Sequence, residues 1–167
     1  KRVQLKWQKA EGNLWKAYLD NPVFEQLFVN DQQQILARYP NYSDTVRIFG
    51  GFAADALGPE RVRRWGHPAG GFVHAMHAGQ WGGFQYRILG KKGDELQLEG
   101  GWQNNRPSAM HNKYRFVENI FEELDAPGEW FFNVAEKTLY FYPPTGLNLA
   151  QAKIEISRLK HLIELKG

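Results

Sequence analysis

No stretch of this chain keeps one hydrophobic pattern for long. Apolar and polar residues alternate over four to six positions, and a cluster of Gly, Pro, Asn or Asp then breaks the pattern. Period-two alternation places one face of a strand against a core and the other in water, and the breakers supply the backbone angles of tight turns. Val3 to Trp7 and Leu14 to Leu19 read as strands around the turn Glu11-Gly12-Asn13. Phe24 to Val29 and Gln34 to Tyr39 flank Asn30-Asp31, two residues that tolerate the positive φ of a two-residue hairpin turn. Pro40-Asn41 then ends the pairing.

The same grammar continues to the end of the chain. Phe72 to His77, Phe84 to Leu89 and Glu95 to Glu99 are strands, the last two joined at Lys91-Lys92-Gly93-Asp94. Trp130 to Asn133 and Thr138 to Tyr142 form a hairpin preceded by Ala126-Pro127-Gly128-Glu129, which has the Pro-Gly centre of a type II turn. Lys153 to Ile156 and His161 to Leu165 are further strands, with one helical turn expected over Leu147 to Ala152. Two short helices are expected. Pro59 to Trp65 has Pro in the first turn and Gly66 as a stop. Val117 to Leu124 carries Val117, Ile120, Phe121 and Leu124 at the spacing of one helix face. Residues 101–114 read as a polar loop. Together these indicate a mainly β chain, an antiparallel barrel or sandwich with two short helices, forming one domain over residues 1–167.

Composition excludes several functions. There is no Cys among the 167 residues, so disulfides and thiolate chemistry are absent. The net charge of +3 is too balanced for a nucleic-acid footprint, and the densest basic run, Arg61 to Arg64, reads as a solvated helix face. No apolar run approaches the 18 or so residues of a membrane-spanning helix. No GxGxxG, P-loop or GxSxG motif occurs, and no cofactor is implied. Lys1 stands inside a strand pattern and the last residues are strand-like, so the chain reads as an excised or processed fragment of a larger protein, entered and left through sheet.

Three constellations could carry chemistry. The first is acidic: Glu118, Glu122, Glu123, Asp125 and Glu129. Glycosidases hold two carboxylates on opposite sides of a bond. Glu118 and Glu122, at i and i+4 of a helix, would look out the same way, so a solvated helix face fits better than an acid–base pair. The second is His74-Ala75-Met76-His77, whose histidines would point to opposite faces of a strand and so cannot converge on a metal. A hydrogen-bonded, half-buried His is the leading reading, and the functional alternative is one His that lines a polar cleft with Trp81 or Trp102. The third is a pair of glycine-tryptophan loops, Gly79 to Gly83 around Trp81 and Gly100 to Arg106 around Trp102. Indole faces beside the amides of Asn104 and Asn105 and the guanidinium of Arg106 suit a sugar's C–H faces and hydroxyls. The alternative is that both Trp anchor long loops.

Three blocks carry a family resemblance: FEQLFVNDQQQILARYPN (residues 24–41), GGFVHAMHAGQWGGFQYRILGK (70–91) and RFVENIFEELDAPGEWFFNVAEKTLYFYPP (115–144). They resemble an inserted barrel-like β domain of large bacterial carbohydrate-active proteins built on a right-handed parallel β-helix, and glycoside hydrolase family 141 is the nearest family. Asn133 departs from the pattern, where relatives have Asp. The resemblance implies a secreted or periplasmic polysaccharide-degrading parent, whose catalytic carboxylates lie on the β-helix outside this chain. No catalytic residue is carried over from it to this chain, and the histidine spacing gives no metal site. The resemblance also implies intramolecular packing on the β-helix, with LKHLIELKG as the return into its coils, and a polysaccharide or oligosaccharide ligand. The expected glycan-contact residues are therefore Trp81, Trp102, His74, Asn104, Asn105 and Arg106. The competing readings are a free-standing carbohydrate-binding module and a small glycoside hydrolase using Glu118.

Overall fold

The computed structural model of the chain describes residues 1–20, 24–103, 106–107 and 109–158. In chain order the strands are β1 (Arg2–Val3), β2 (Gln8–Lys9), β3 (Trp15–Tyr18), β4 (Leu27–Val29), β5 (Gln32–Gln33), β6 (Ile35–Leu36), β7 (Arg38–Tyr39), β8 (Phe72–His77), β9 (Gly83–Lys92), β10 (Glu95–Gly100), β11 (Trp102–Gln103), β12 (Arg106–Pro107), β13 (Met110–Glu118), β14 (Glu129–Asn133), β15 (Thr138–Phe141) and β16 (Ile154–Ile156). One α-helix, α1 (Pro59–Arg64), lies between β7 and β8.

The strands form a sheet β1-β16-β4-β5, a sheet β2-β3-β15-β14-β6, a sheet β10-β9-β8-β13-β7 and the small ribbon β11-β12. The mainly β expectation holds. Among the described residues no sheet closes into a barrel. The first two sheets instead face each other as a sandwich, with Leu27, Val29, Ile154 and Ile156 on one side and Trp130, Phe132, Leu139 and Phe141 on the other. Phe24 stacks on Trp130 with ring centroids 5.0 Å apart. A second core lies under the third sheet, where Val73, Ala75, Ile88 and Val117 pack against Val62 and Trp65 of the α1 region and against Ile120.

Turn chemistry decides the local hairpins. Asn30 and Asp31 have φ of 49° and 64°, and Gly93 has φ of 64° between β9 and β10. Glu129 N–H donates to the Ala126 carbonyl at 3.1 Å with Gly128 at φ 89°, the expected type II turn. Long-range pairing splits other expected strands. Arg2–Val3 pairs with β16 while Gln8–Lys9 pairs with β3, so residues 3–7 are not one strand. Residues 34–39 likewise divide: Ile35–Leu36 runs parallel to β14, and Arg38–Tyr39 runs antiparallel to β13. Leu147 to Ala152 forms hydrogen-bonded turns, not a helical turn, with Gln151 N–H donating to Asn148 O. His161 to Leu165, within LKHLIELKG, lies outside the described residues.

The helix expected over Val117 to Leu124 does not form. β13 runs on through Val117 and Glu118, which pair on both sides with β7 and β8. Asn119 then takes φ of 58°, which helical propagation cannot accept, and its side-chain amide donates to Gly70 O at 3.0 Å. A single 3₁₀ turn, Phe121–Glu123, follows. Val117, Ile120 and Leu124 are buried, but Phe121 is 41% exposed. The 101–114 loop also resolves largely into strand, as β11, β12 and the start of β13.

Helix α1 forms as expected, but its basic run is not simply solvated. Arg61 donates to both oxygens of Glu123, at 2.8 and 3.0 Å, and its guanidinium lies over the Tyr39 ring. The buried Glu123 also accepts from Trp65 Nε1 at 2.6 Å. A buried carboxylate demands such partners, and it ties the helix to the turn after β13.

The short run 35–39 joins the two cores, since its two ends pair with β14 and β13 and Ala37 between them donates to Trp130 O and accepts from Asn119 N. Glu129 sits at this seam, 2% exposed, with Oε2 accepting from the N–H groups of Asp125 and Ala126. Burial outweighs those bonds and pushes its carboxyl up to about 7. A raised carboxyl pKa favours the protonated folded form. Glu129 therefore costs nothing below its ordinary 4.5 and destabilises progressively as pH rises to about 7. Glu129→Gln, which keeps an acceptor for both N–H groups, is expected to remove a loss on the order of 3 kcal/mol across that window. Urea unfolding at pH 4.5, 6 and 7.5 checks this: the wild type weakens and the variant stays flat.

Candidate functional site

The third sheet buries one face on α1 and leaves the other partly open. Along β8, Val73 and Ala75 point inward while Phe72, His74 and Met76 line the open side. Register places His74 opposite Phe116 on β13 and Gln85 on β9. The imidazole stacks on the Phe116 ring at 4.4 Å and 6°, and its Nε2 lies 2.8 Å from Glu118 Oε1. Each side chain of this pair is 22% exposed. Glu118 fixes the imidazole's orientation and leaves Nδ1 as its remaining polar atom. The half-buried, hydrogen-bonded His74 is as the sequence indicates.

The guanidinium of Arg38 lies 4.0 Å from the centre of the same Phe116 ring. It donates to three carbonyl oxygens, of Pro40, Phe49 and Gly51, at 2.9 to 3.0 Å. Burial lowers its pKa, while the nearby charges of Glu118 and Glu129 act the other way. These bonds fasten the 40–51 loop along the edge of the open face.

The β8–β9 turn stands at one end of this sheet. His77 N–H donates to Gly82 O and Gln80 N–H to His77 O, both at 2.7 Å, with Gln80 at φ 59°. The Trp81 ring folds back to 4.2 Å from the His77 ring and remains 59% exposed. A Cβ on Gly79 would sit 2.7 Å from that indole, so glycine permits the fold-back. His111 lies across from this turn. Its Nδ1 accepts from the N–H groups of Lys113 and Tyr114, and its Nε2 lies 3.4 Å from Gln80 Nε2. Tyr114 packs on His111 at 4.5 Å and edge-on to Phe52 at 4.7 Å. His111 was hidden in an apparent loop. The register Met110↔His77 brings it to the turn, and only strand pairing reveals that.

Trp102 reaches the same end of the sheet. Gly100 pairs with Tyr86 on β9, and Gly101 N–H donates to Gln85 O at 3.1 Å. Trp102 follows directly, beside the start of β9, and is 63% exposed. Neither Trp81 nor Trp102 is buried as a loop anchor. Arg106 pairs with Gln103 in the β11–β12 ribbon. Asn104 and Asn105 lie outside the described residues. His74 sits on the open face, further along β8 than the turn carrying Trp81.

The five acids serve separate partners. Glu118 holds His74, Glu122 accepts from Gly66 N–H, Glu123 is locked to Arg61 and Trp65, and Glu129 is buried at the seam. Asp125 is exposed beside it. Glu118 and Glu122 are not an i,i+4 helix pair, because one ends a strand and the other lies in the 3₁₀ turn. Across the open face the row runs Glu118, Phe72, Arg87, Glu99. Three strand spacings separate Glu118 from Glu99, about 14 Å.

The glycines that deliver Trp102 are expected to be irreplaceable. Gly101 has φ of 66°, and a Cβ there would overlap the Tyr86 ring. Gly93 has nearly the same φ, 64°, but open space around it. Gly93→Ala is expected to cost about 1 kcal/mol from the left-handed backbone alone. Gly101→Ala is expected to cost about 2–4 kcal/mol, with the added steric conflict. Paired urea unfolding curves check the difference.

No family model matches the chain. No curated protein matches it. Among solved structures, a protein named "Glycoside hydrolase" superposes with a TM-score of 0.63 at 21% sequence identity, over 92% of this chain and 30% of that chain. The present chain thus spans under a third of that protein's length. At this identity the likeness concerns the fold: nearly all of this β architecture recurs within a larger chain bearing that name.

Proposed function

We propose that this chain is a non-catalytic accessory β domain of a secreted polysaccharide-degrading glycoside hydrolase, inserted in or flanking a parallel β-helix. In this reading it shapes one wall of the substrate cleft and touches glycan through the Trp81–Trp102 end of its third sheet. The observation that carries it is two indoles, each more than half exposed, at one end of one sheet. Exposing that much apolar ring in water has no structural return, whereas a sugar's C–H face covers it. His74 through its Nδ1, and Asn104, Asn105 and Arg106 by the chemistry of their side chains, would supply the polar partners. The likeness of the fold to part of a glycoside hydrolase, and the sequence blocks that resemble family 141, support the same reading. Within the chain, Glu118, Glu122, Glu123 and Glu129 are each engaged by a separate partner, which favours this reading over a self-contained hydrolase.

Calorimetry of the chain against xylan, cello-oligosaccharides, pectic fragments and host glycans tests this. Trp81→Ala and Trp102→Ala are each expected to weaken binding roughly tenfold, about 1.4 kcal/mol, with unfolding midpoints unchanged. Undiminished binding in the double variant overturns the assignment of these rings. Millimolar or tighter binding by the wild-type chain alone favours the free-standing carbohydrate-binding module over the wall.

A further inference from the structure

The outer face of the β2-β3-β15-β14 sheet carries a row that register fixes as Gln8, Lys16, Tyr140 and Phe131. The 3₁₀ turn after β13 stands over it. There the Phe121 ring meets Tyr140 edge-on at 5.0 Å and Phe131 at 5.5 Å. Between this turn and the β2–β3 turn runs a groove of about 540 Å³, lined among others by Asn13, Lys16, Phe121, Glu122, Tyr140 and Tyr142. Its walls come from both halves of the molecule, since Ile120 belongs to the core under the third sheet and the neighbours of Tyr140 belong to the sandwich. Grooves of this size at such seams are where small ligands bind.

The lining selects a class of ligand. Ring surface is offered by Phe121, by the half-buried Tyr140, whose hydroxyl is turned to Glu136, and by Tyr142, whose hydroxyl accepts from Asn13 Nδ2 at 2.7 Å. Lys16 is half-buried, and among the described residues it has no carboxylate within ion-pairing distance. Glu122 and Glu11 bring carboxylate acceptors to the same groove. A purely apolar ligand would strand the Lys16 ammonium without water or a partner. An anionic ligand would meet two carboxylates for one ammonium. A neutral ring with C–H faces and hydroxyls that both donate and accept satisfies the whole set.

We propose that this groove is a second saccharide site, taking one or two neutral pyranose units and distinct from the Trp81–Trp102 end. The β8–β9 turn lies at the start of β13 and the groove beyond its end; β13 follows β8 from His77 to Phe72, five residue steps with a register shift between Met110 and Arg115, so about 17 Å of sheet separates them. The inference rests on glycan being the ligand class of the chain, as proposed above.

The test is a titration of the ¹⁵N-labelled chain with xylo-, cello- and manno-oligosaccharides, with a galacturonate oligomer as the charged comparison. Amide shifts are expected at residues 11–16 and 120–122 with a neutral oligosaccharide. They are expected to persist in Trp81→Ala and to need roughly tenfold more ligand in Lys16→Ala and in Asn13→Ala, both at solvent-accessible positions. Shifts confined to the Trp81 turn and Trp102 overturn the second site and leave the proposed function standing. Preferential binding of the galacturonate oligomer in the groove overturns the neutral class. Absence of any shift with every saccharide at millimolar concentration overturns both glycan sites and leaves only the cleft-wall role of the proposed function.

Discussion

A buried guanidinium holds the third-sheet half of this molecule together. Arg38 is 4% exposed, and its three hydrogen bonds go to backbone carbonyls of a loop with no sheet of its own. A cation that deep must be fully occupied, because an unpaired buried charge costs several kcal/mol. The loop therefore has one docked position, set by the fork of donors. Its backbone partner on β13 is Glu118, which orients His74, and its side chain lies on Phe116, against which His74 stacks. The residue thus connects the seam between the cores, the loop edge and the polar pair on the open face.

The parts of the fold legible in the sequence are those whose cause is local. Asn30-Asp31, Gly93 and Pro127-Gly128 fix turns by their own backbone preferences, so the flanking hairpins follow. The helix expected at 117–124 shows the limit. Spacing of 0, 3, 4 and 7 suits a helix face, but Val117 is inward because β13 is paired on both sides, and Ile120 because a turn folds it under the sheet. Periodicity could not weigh Asn119 as a strand terminator. The splitting of residues 34–39 between two sheets, and the pairing of Arg2–Val3 with β16, depend on partners over 70 residues distant and leave no local trace.

The candidate sites divide along the same line. The loops that carry Trp81 and Trp102 stand out in the sequence because glycines bracket each ring, a short-range pattern, whereas the exposure of both rings does not. His111 and Arg38 do not stand out, because their importance comes from strand register and burial. The groove was wholly illegible. It takes Asn13 and Lys16 from one hairpin, Tyr140 and Tyr142 from another, and Phe121 from the turn that the helical reading placed inside. The error at Phe121 and the missed groove have one cause: a ring assigned to the core is in fact presented to solvent.

The two proposed sugar contacts, one at each end of β13, carry a consequence for affinity. Single exposed rings on protein surfaces give modest binding, and each site alone would release its ligand quickly. A polysaccharide long enough to reach from the Trp81 turn to the groove converts the second contact into an intramolecular one, at an effective concentration set by the span and the stiffness of the chain. A short oligosaccharide gains nothing from the second site. The separation is set by the third sheet, in which β13 pairs with β8 at Met110 and from Arg115 to Glu118, and with β7 at Val117 and Glu118, where Val117 packs on the buried core. Length discrimination would then follow from the rigidity of that sheet, with no need for tight recognition of any single sugar.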